Sequence, residues 1–194
     1  MLVRQVHIRR IAPASVAQRA HWRAWLESPA TIGSASVLKA DAGSWVRGLP
    51  GPAGCGFEEV VVKCRPDAGP GESFKRLTRS TRGDRQWRGA EWLAAYGFLT
   101  PRSLVLARAE VDGVRCEILV MERLAGRSVL EHLAAGVEKT AGSLSVREQH
   151  VAAKRVGEMI ANLSRAGRYN RDGKPSNLIV TLGTAGDIAI GIID

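Results

Sequence analysis

Residues 169–180 crowd together Arg171, Asp172, Lys174 and Asn177. A carboxylate can orient a hydroxyl or take its proton. An ammonium group two residues on can offset negative charge, and a carboxamide oxygen five residues on can ligate a hard cation. Chemistry on an anionic, metal-associated group suits such a set. A structural reading competes with it. Asp172-Gly173 and Pro175-Ser176 are common turn pairs, and Leu178-Ile179-Val180 reads as the buried strand such a turn would precede. The stretch alone leaves both readings open, so the elements that would hold it have to decide.

The chain has 194 residues, enough for one large domain or two small lobes. Its 45% hydrophobic content is that of a globular protein with a core. The net charge of +9 points to an anionic partner: a phosphorylated substrate, a membrane surface or nucleic acid. No nucleic-acid motif accompanies the basic residues, so nucleic acid is not expected. Cys55, Cys64 and Cys116 are odd in number and widely spaced, with neither zinc-type pairs nor a disulfide framework, which fits a reducing compartment. No signal-peptide pattern and no apolar run of membrane-spanning length is visible, and the expected location is cytoplasmic.

Apolar periodicity predicts a helix over 13–27, with Trp22, Trp25 and Leu26 packed on a following sheet; contact with a membrane surface is the alternative. Strands are expected at 36–40, 44–47 and 57–64, with a turn at Asp41-Ala42-Gly43 and loops at 49–54 and 67–71. Residues 72–96 read as helical with a break at Arg82-Gly83-Asp84 and Asp84 as N-cap. Trp87, Ala90, Glu91 and Ala94 then share a side, leaving Glu91 in a largely apolar stripe where it needs a cation; an exposed Glu91 is the alternative. Strands at 103–110 and 114–121 are joined by Asp112-Gly113, a hairpin signal. A short helix over 127–135 follows, with Val129, Leu130 and Leu133 as its apolar residues, and then a polar loop at 138–143. Ser145-Val146-Arg147-Glu148 is a capping box for a long helix that buries Ala152, Val156, Met159, Ile160 and Leu163 and ends near Gly167. Two strands, 178–180 and 188–193, close the chain as a buried hairpin, with Asp194 after the second.

Read together, these residues resemble the eukaryotic-like protein kinase superfamily. Arg171-Asp172 with Asn177 five residues after the Asp follows that family's H-R-D-L-x-x-x-N loop, with Asn170 in place of His and Gly173 in place of Leu. Val60-Val61-Val62-Lys63 resembles the V-A-I-K strand, Glu91 its partner on a helix, residues 119–126 the adenine-binding hinge, and Asp194 the first residue of D-F-G. The resemblance covers about residues 35–194. Within it, the loose nucleotide loop at Gly43 and Ser44, the Gly97-Phe98-Leu99-Thr100-Pro101 segment and the Val120-Met121-Glu122-Arg123-Leu124-Ala125-Gly126 hinge are most similar to the bacterial lipopolysaccharide kinase (Kdo/WaaP) family.

The resemblance implies an α+β, two-lobe kinase-like fold with an antiparallel-sheet N-lobe and an incomplete helical C-lobe. The expected divisions are a helical N-terminal extension at 1–34, the N-lobe at 35–123 and the start of the C-lobe at 124–194. It implies ATP and Mg2+ as cofactors, with Lys63, Glu91, Gly43, Ser44 and the hinge residue Glu122 on the nucleotide. Asn177 and Asp194 would bind magnesium, Asp172 would orient or deprotonate the acceptor, and Lys174 would stabilise charge. The implied acceptor is a sugar hydroxyl of lipopolysaccharide core or another hydroxyl, met by an enzyme peripheral to the inner membrane. A Ser/Thr protein kinase, suggested by Lys174, and a non-catalytic pseudokinase-like binding module, suggested by a chain that stops at Asp194, are the alternatives.

Overall fold

The computed structural model describes residues 1–12, 18–28, 36–41, 43–67, 81–138, 143–168, 173–183 and 187–193. The chain divides into two compact units, Met1–Gly89 with Arg102–Arg123, and Ala90–Pro101 with Leu124–Asp194.

The first unit is built on a six-stranded antiparallel sheet. Its strands are β1 (Val3–Ile11), β2 (Ser36–Asp41), β3 (Ser44–Pro50), β4 (Glu59–Pro66), β5 (Ser103–Val111) and β6 (Val114–Glu122), in the order β1-β5-β6-β4-β3-β2. Along β4 the side chains alternate, as a pleated strand requires: Val60, Val62 and Cys64 enter the main core, while Lys63 points to the other face. Helix α1 (Arg19–Glu27) covers the main core with Trp22 and Leu26, both fully buried, and the Trp22 ring meets Trp25 edge-on at 5.6 Å. On the opposite face Leu106, Leu119 and Met121 pack with Trp87 of α2 (Arg82–Ala95). Asp112 and Gly113 both take positive φ, 48° and 82°, the tight turn expected between β5 and β6.

Several expectations are corrected here. Residues 1–34, read as a helical extension, contribute β1, an edge strand paired with β5. β3 runs through Leu49 and Pro50, beyond the strand end expected at 47 and into the expected loop at 49–54. Thr81, not Asp84, caps α2: the Asp84 N–H donates to Thr81 Oγ1 at 3.1 Å, and the Thr81 N–H donates back to Asp84 Oδ2 at 3.3 Å. Gly83 is therefore part of the first turn rather than a break. A side chain there would collide, since an added Cβ would stand 2.5 Å from Leu106 Cδ1 and 2.7 Å from Glu117 Oε1. Part of the helix expected at 13–27 and all of 72–80 lie outside the described residues, as do Ala42 and most of the loops at 67–71 and 138–143.

The second unit contains the C-terminal half of α2, a three-stranded antiparallel sheet and two helices. The sheet runs β7 (Arg127–Ser128), β8 (Leu178–Leu182), β9 (Ile188–Ile192), and the helices are α3 (Val129–Glu138) and α4 (Val146–Arg165). Ser145 and Glu148 form the expected capping box, and Ser128 with Glu131 forms another at α3. Ala152, Met159 and Leu163 of α4 pack with Leu178, Val180, Ile188, Ile190 and Ile192, while Trp92, Phe98 and Val156 lie against that core. The apolar faces differ from expectation in two places. Ile160 is exposed, and α3 buries His132 and Ala135 while Leu130 and Leu133 face water.

Candidate active site

In the first unit Lys63 is held by the ladder on both sides, opposite Val46 of β3 and Leu119 of β6. It is 8% exposed and is not without a partner. A buried ammonium group is costly unless something negative meets it, which makes this the most chemically demanding position on β4. Gly43 lies at the tip of the β2–β3 hairpin with φ +80°, and Ser44 opens β3 opposite Asp41. β2 is exposed along its whole length. Glu122 at the end of β6 is committed to Arg102 through two hydrogen bonds, 2.9 Å from Nε and 3.2 Å from Nη2. Those bonds hold its carboxyl below the usual carboxylate range. Its N–H donates to the Arg102 carbonyl, so any contact it makes with a base falls to its carbonyl oxygen.

Glu91 lies on α2, in the portion grouped with the second unit, two residues beyond Gly89. It is exposed rather than set in an apolar stripe, and it too has a partner. Asp84, Trp87 and Glu91 nevertheless share a side of the helix by its 3.6-residue period, with Asp84 and Trp87 buried.

In the second unit two structural devices flank residues 169–172. Upstream, α4 ends in a Gly167 turn in which the Arg168 N–H reaches Leu163 O and the Gly167 N–H reaches Ser164 O. The Arg168 guanidinium then lies over the Trp92 ring, 5.0 Å from its centroid. Downstream, Pro175–Asn177 forms a single tight helical turn, closed by the Asn177 N–H on Lys174 O at 2.8 Å. Lys174 and Ser176 are exposed, and Asn177 is half-buried. The pairing of Leu178 with Ile192 continues one step further, where the Ile193 N–H donates to the Asn177 carbonyl at 3.1 Å. The end of β9 is fastened again by the Ile192 N–H on Leu99 O and by Thr100 Oγ1 on Ile192 O, both 2.9 Å. Asn177 is thus fixed beside the residue that precedes Asp194 in sequence.

Asp172 and Asp194 themselves lie outside the described residues, as do Asn170 and Arg171. Among the described residues no three His, Cys, Asp or Glu side chains gather as a metal site. The oxygen donors expected for a hard cation, Asn177 and Asp194, are of the kind magnesium takes, and the strand register sets the Asn177 backbone against Ile193.

Sequence reading missed a cluster at the start of α2. Asp84 accepts from Arg9 Nη2 at 2.9 Å and from Thr81 Oγ1 at 2.8 Å, and Arg10 Nε forms an ion pair with its other oxygen at 3.2 Å. Burial pushes its carboxyl up, but the hydrogen bonds from Thr81 and Arg9, with the Arg9 charge, outweigh this and hold it below the usual range. Glu117 of β6 accepts from Arg9 Nη1 at 3.4 Å and from the Gly83 N–H at 2.7 Å. The signal was present as Thr81-Arg82-Gly83-Asp84, a Thr three residues before an acid.

Residues 72–194 match the Lipopolysaccharide kinase (Kdo/WaaP) family. Among solved structures the chain is similar to WaaP in complex with acyl carrier protein, at 18% sequence identity and a TM-score of 0.57, covering 95% of this chain and 70% of that one. No curated protein sequence matches. The fold is the expected kinase-like α+β arrangement with an antiparallel sheet. No helix among the described residues is long and apolar enough to cross a membrane.

Proposed function

Since this chain belongs to the lipopolysaccharide kinase (Kdo/WaaP) family, we propose that it transfers the γ-phosphoryl group of ATP to a sugar hydroxyl of lipopolysaccharide core. The observation that carries the mechanism is the backbone bond from Ile193 to Asn177, which supports Asn177 and Asp194 as a pair of metal ligands. Lys63, a buried cation on a strand, holds the α- and β-phosphates and is paired by Glu91. The Gly43 tip and the Ser44 hydroxyl approach the phosphates, and the Glu122 carbonyl accepts from the adenine. Asn177 and Asp194 hold Mg2+, which when bound neutralises charge on the phosphates. Asp172 orients or deprotonates the attacking hydroxyl, and Lys174, exposed beside the Pro175–Asn177 turn, offsets charge on the transferred group. The matched WaaP structure is a complex with acyl carrier protein, so an acyl carrier protein is a candidate partner here, to be tested by co-purification.

The test is transfer of label from γ-labelled ATP by the full-length protein with Mg2+ and dephosphorylated lipopolysaccharide core. Label is expected on the sugar, and Asp172→Ala is expected to lower kcat by about 100-fold or more with ATP affinity kept. Unchanged turnover in Asp172→Ala would remove the assignment of Asp172. Label on protein acceptors and none on lipopolysaccharide would replace the sugar with a Ser or Thr side chain. ATP binding without magnesium-dependent turnover would mark a binding module.

A further inference from the structure

We propose that the arginine-bearing face of the first unit's sheet is a docking surface for the anionic phospholipid headgroups of a membrane. Arg4, Arg108 and Arg115 form it on the strands, and Arg82, Arg85 and Arg88 extend it along the first turns of α2. It depends on none of the residues assigned to the nucleotide or to Mg2+.

Strand alternation decides which side chains share this face. Val3 and Val6 of β1, Ala107 and Ala109 of β5, and Cys116 and Ile118 of β6 enter the main core. Arg4, Arg108 and Arg115 point away from it, to the side on which Trp87 of α2 packs. The register agrees: Arg4 stands opposite Glu110, Glu110 stands opposite Arg115, and Arg108 is two residues along β5. At the usual strand spacing Arg4 and Arg115 are about 10 Å apart, with Arg108 within about 10 Å of both. All three are exposed, and among the described residues none has an ion-pair partner. Asp84 and Glu117 lie on the same side, but both are largely buried and already meet Arg9, Arg10, Thr81 and the Gly83 N–H. Glu110, half-buried between Arg4 and Arg115, offsets only part of their charge. Arg82 and Arg85 are exposed at the N-terminal end of α2, where the helix dipole disfavours cations. An anion brought from outside accounts for a concentration of positive charge that the fold itself leaves uncompensated.

The composition of the face selects a headgroup layer. Its cations are arginines, whose planar guanidinium pairs with phosphate through two N–H donors. Leu2 and Val114, 37% and 50% exposed, stand at the end of the sheet beside Arg4 and Arg115. Asp112 ties that end together, donating its N–H to Leu2 O at 2.9 Å and accepting the Leu2 N–H on Oδ1 at 2.7 Å. Exposed apolar side chains bordered by arginine suit a membrane interface. Among the described residues no Trp, Tyr or Phe is exposed between these arginines to stack on a base. The face also lacks the charge-depleted apolar centre of a protein interface.

The test is co-sedimentation of the full-length protein with vesicles of phosphatidylcholine alone or mixed with phosphatidylglycerol. Binding is expected to the mixed vesicles only, and to fall as salt is raised. Replacing Arg4, Arg108 and Arg115 together by Gln is expected to weaken it by about 100-fold, at about fivefold for each arginine near an anionic surface. Arg23→Gln, Arg147→Gln and Arg165→Gln together remove the same charge from exposed positions elsewhere. That control is expected to weaken binding by less than about threefold, since charges far from the membrane are screened. Equal weakening by the two triple variants, or equal binding to neutral vesicles, would overturn the proposal. So would a failure to bind mixed vesicles, whether or not the protein then binds duplex DNA or acyl carrier protein. If the first triple variant fails to fold, Arg82→Gln with Arg85→Gln is the milder change, because it relieves two cations at a helix N-terminus. It is expected to weaken binding by about 25-fold with Tm kept, and unchanged binding would overturn the proposal.

Discussion

Trp22, Leu26, Val60, Val62 and Val120 in the first unit lose all contact with water, while Leu130, Leu133 and Val137 in the second stand in it. In the first unit a sheet carries α1 on one face and the start of α2 on the other, so both faces of β5 and β6 are covered. In the second, α4 presents Ala152, Val156, Met159 and Leu163 to the small sheet and leaves Val146 and Ile160 outside. On α3 the exposed residues fall at i, i+3 and i+7, a regular helical stripe with 85% of Val137 open to water. Hydrophobic periodicity reports that a face is apolar; it does not report that the face is covered. Burial energy is therefore expected to concentrate in the first unit.

Truncating the first unit's deepest ring tests this most severely. Trp22→Ala is expected to cost about 3–5 kcal/mol, since it removes a fully buried indole that touches Trp25 and Phe57. Met159→Ala, in the second unit's core, is expected to cost about 2 kcal/mol, the low end for such a truncation. Urea unfolding followed by far-UV circular dichroism measures both. Equal losses would break the contrast.

Legibility in the sequence divides along physical lines. The Asp112-Gly113 hairpin, the Ser145–Glu148 cap and the β8–β9 pair are local patterns a few residues long, and all three stand as read. β1 escaped because its buried residues are Val3, Val6 and Ile8, spaced three and then two apart; two register shifts and Gln5 at φ 53° destroy the alternation that marks a strand. The cap of α2 is not legible because Gly83 suggests a break, when its role is close packing. The same split runs through the candidate site. Asn177 beside the approach to Asp194 follows from order and spacing within one hairpin. Asp84 with Arg9, and Arg9 with Glu117, join residues 75 and 108 positions apart, and a pairing across that distance leaves no local trace.

Two helical glycines sharpen the comparison at a smaller scale. Gly83 in the first unit has Leu106 and Glu117 where a Cβ would go, whereas Gly157 in α4 has nothing within 4 Å. Gly83→Ala is expected to destabilise by about 1–3 kcal/mol through overpacking. Gly157→Ala is expected to stabilise by about 0.5–1 kcal/mol, because alanine loses less backbone freedom on entering a helix and meets no obstacle here. Tm shifts of opposite sign check the pair, and a destabilised Gly157→Ala would mean that this side of α4 is covered in solution.

The smallest effect is expected at Leu133, and its smallness is informative. Leucine and lysine have similar helix propensities, so Leu133→Lys does not weaken α3 through its backbone. With 57% of the side chain already in water, much of the transfer energy of a buried leucine was never gained. The lysine stem can also lie along whatever apolar surface Leu133 does touch, with its charge kept in water. The expected change is within about 0.5 kcal/mol, as for an ordinary surface substitution. A loss of about 2 kcal/mol in the full-length protein would instead be the cost of a buried residue. It would place the α3 stripe under cover in solution and make the second unit's apolar face as much a part of the core as Trp22 is in the first.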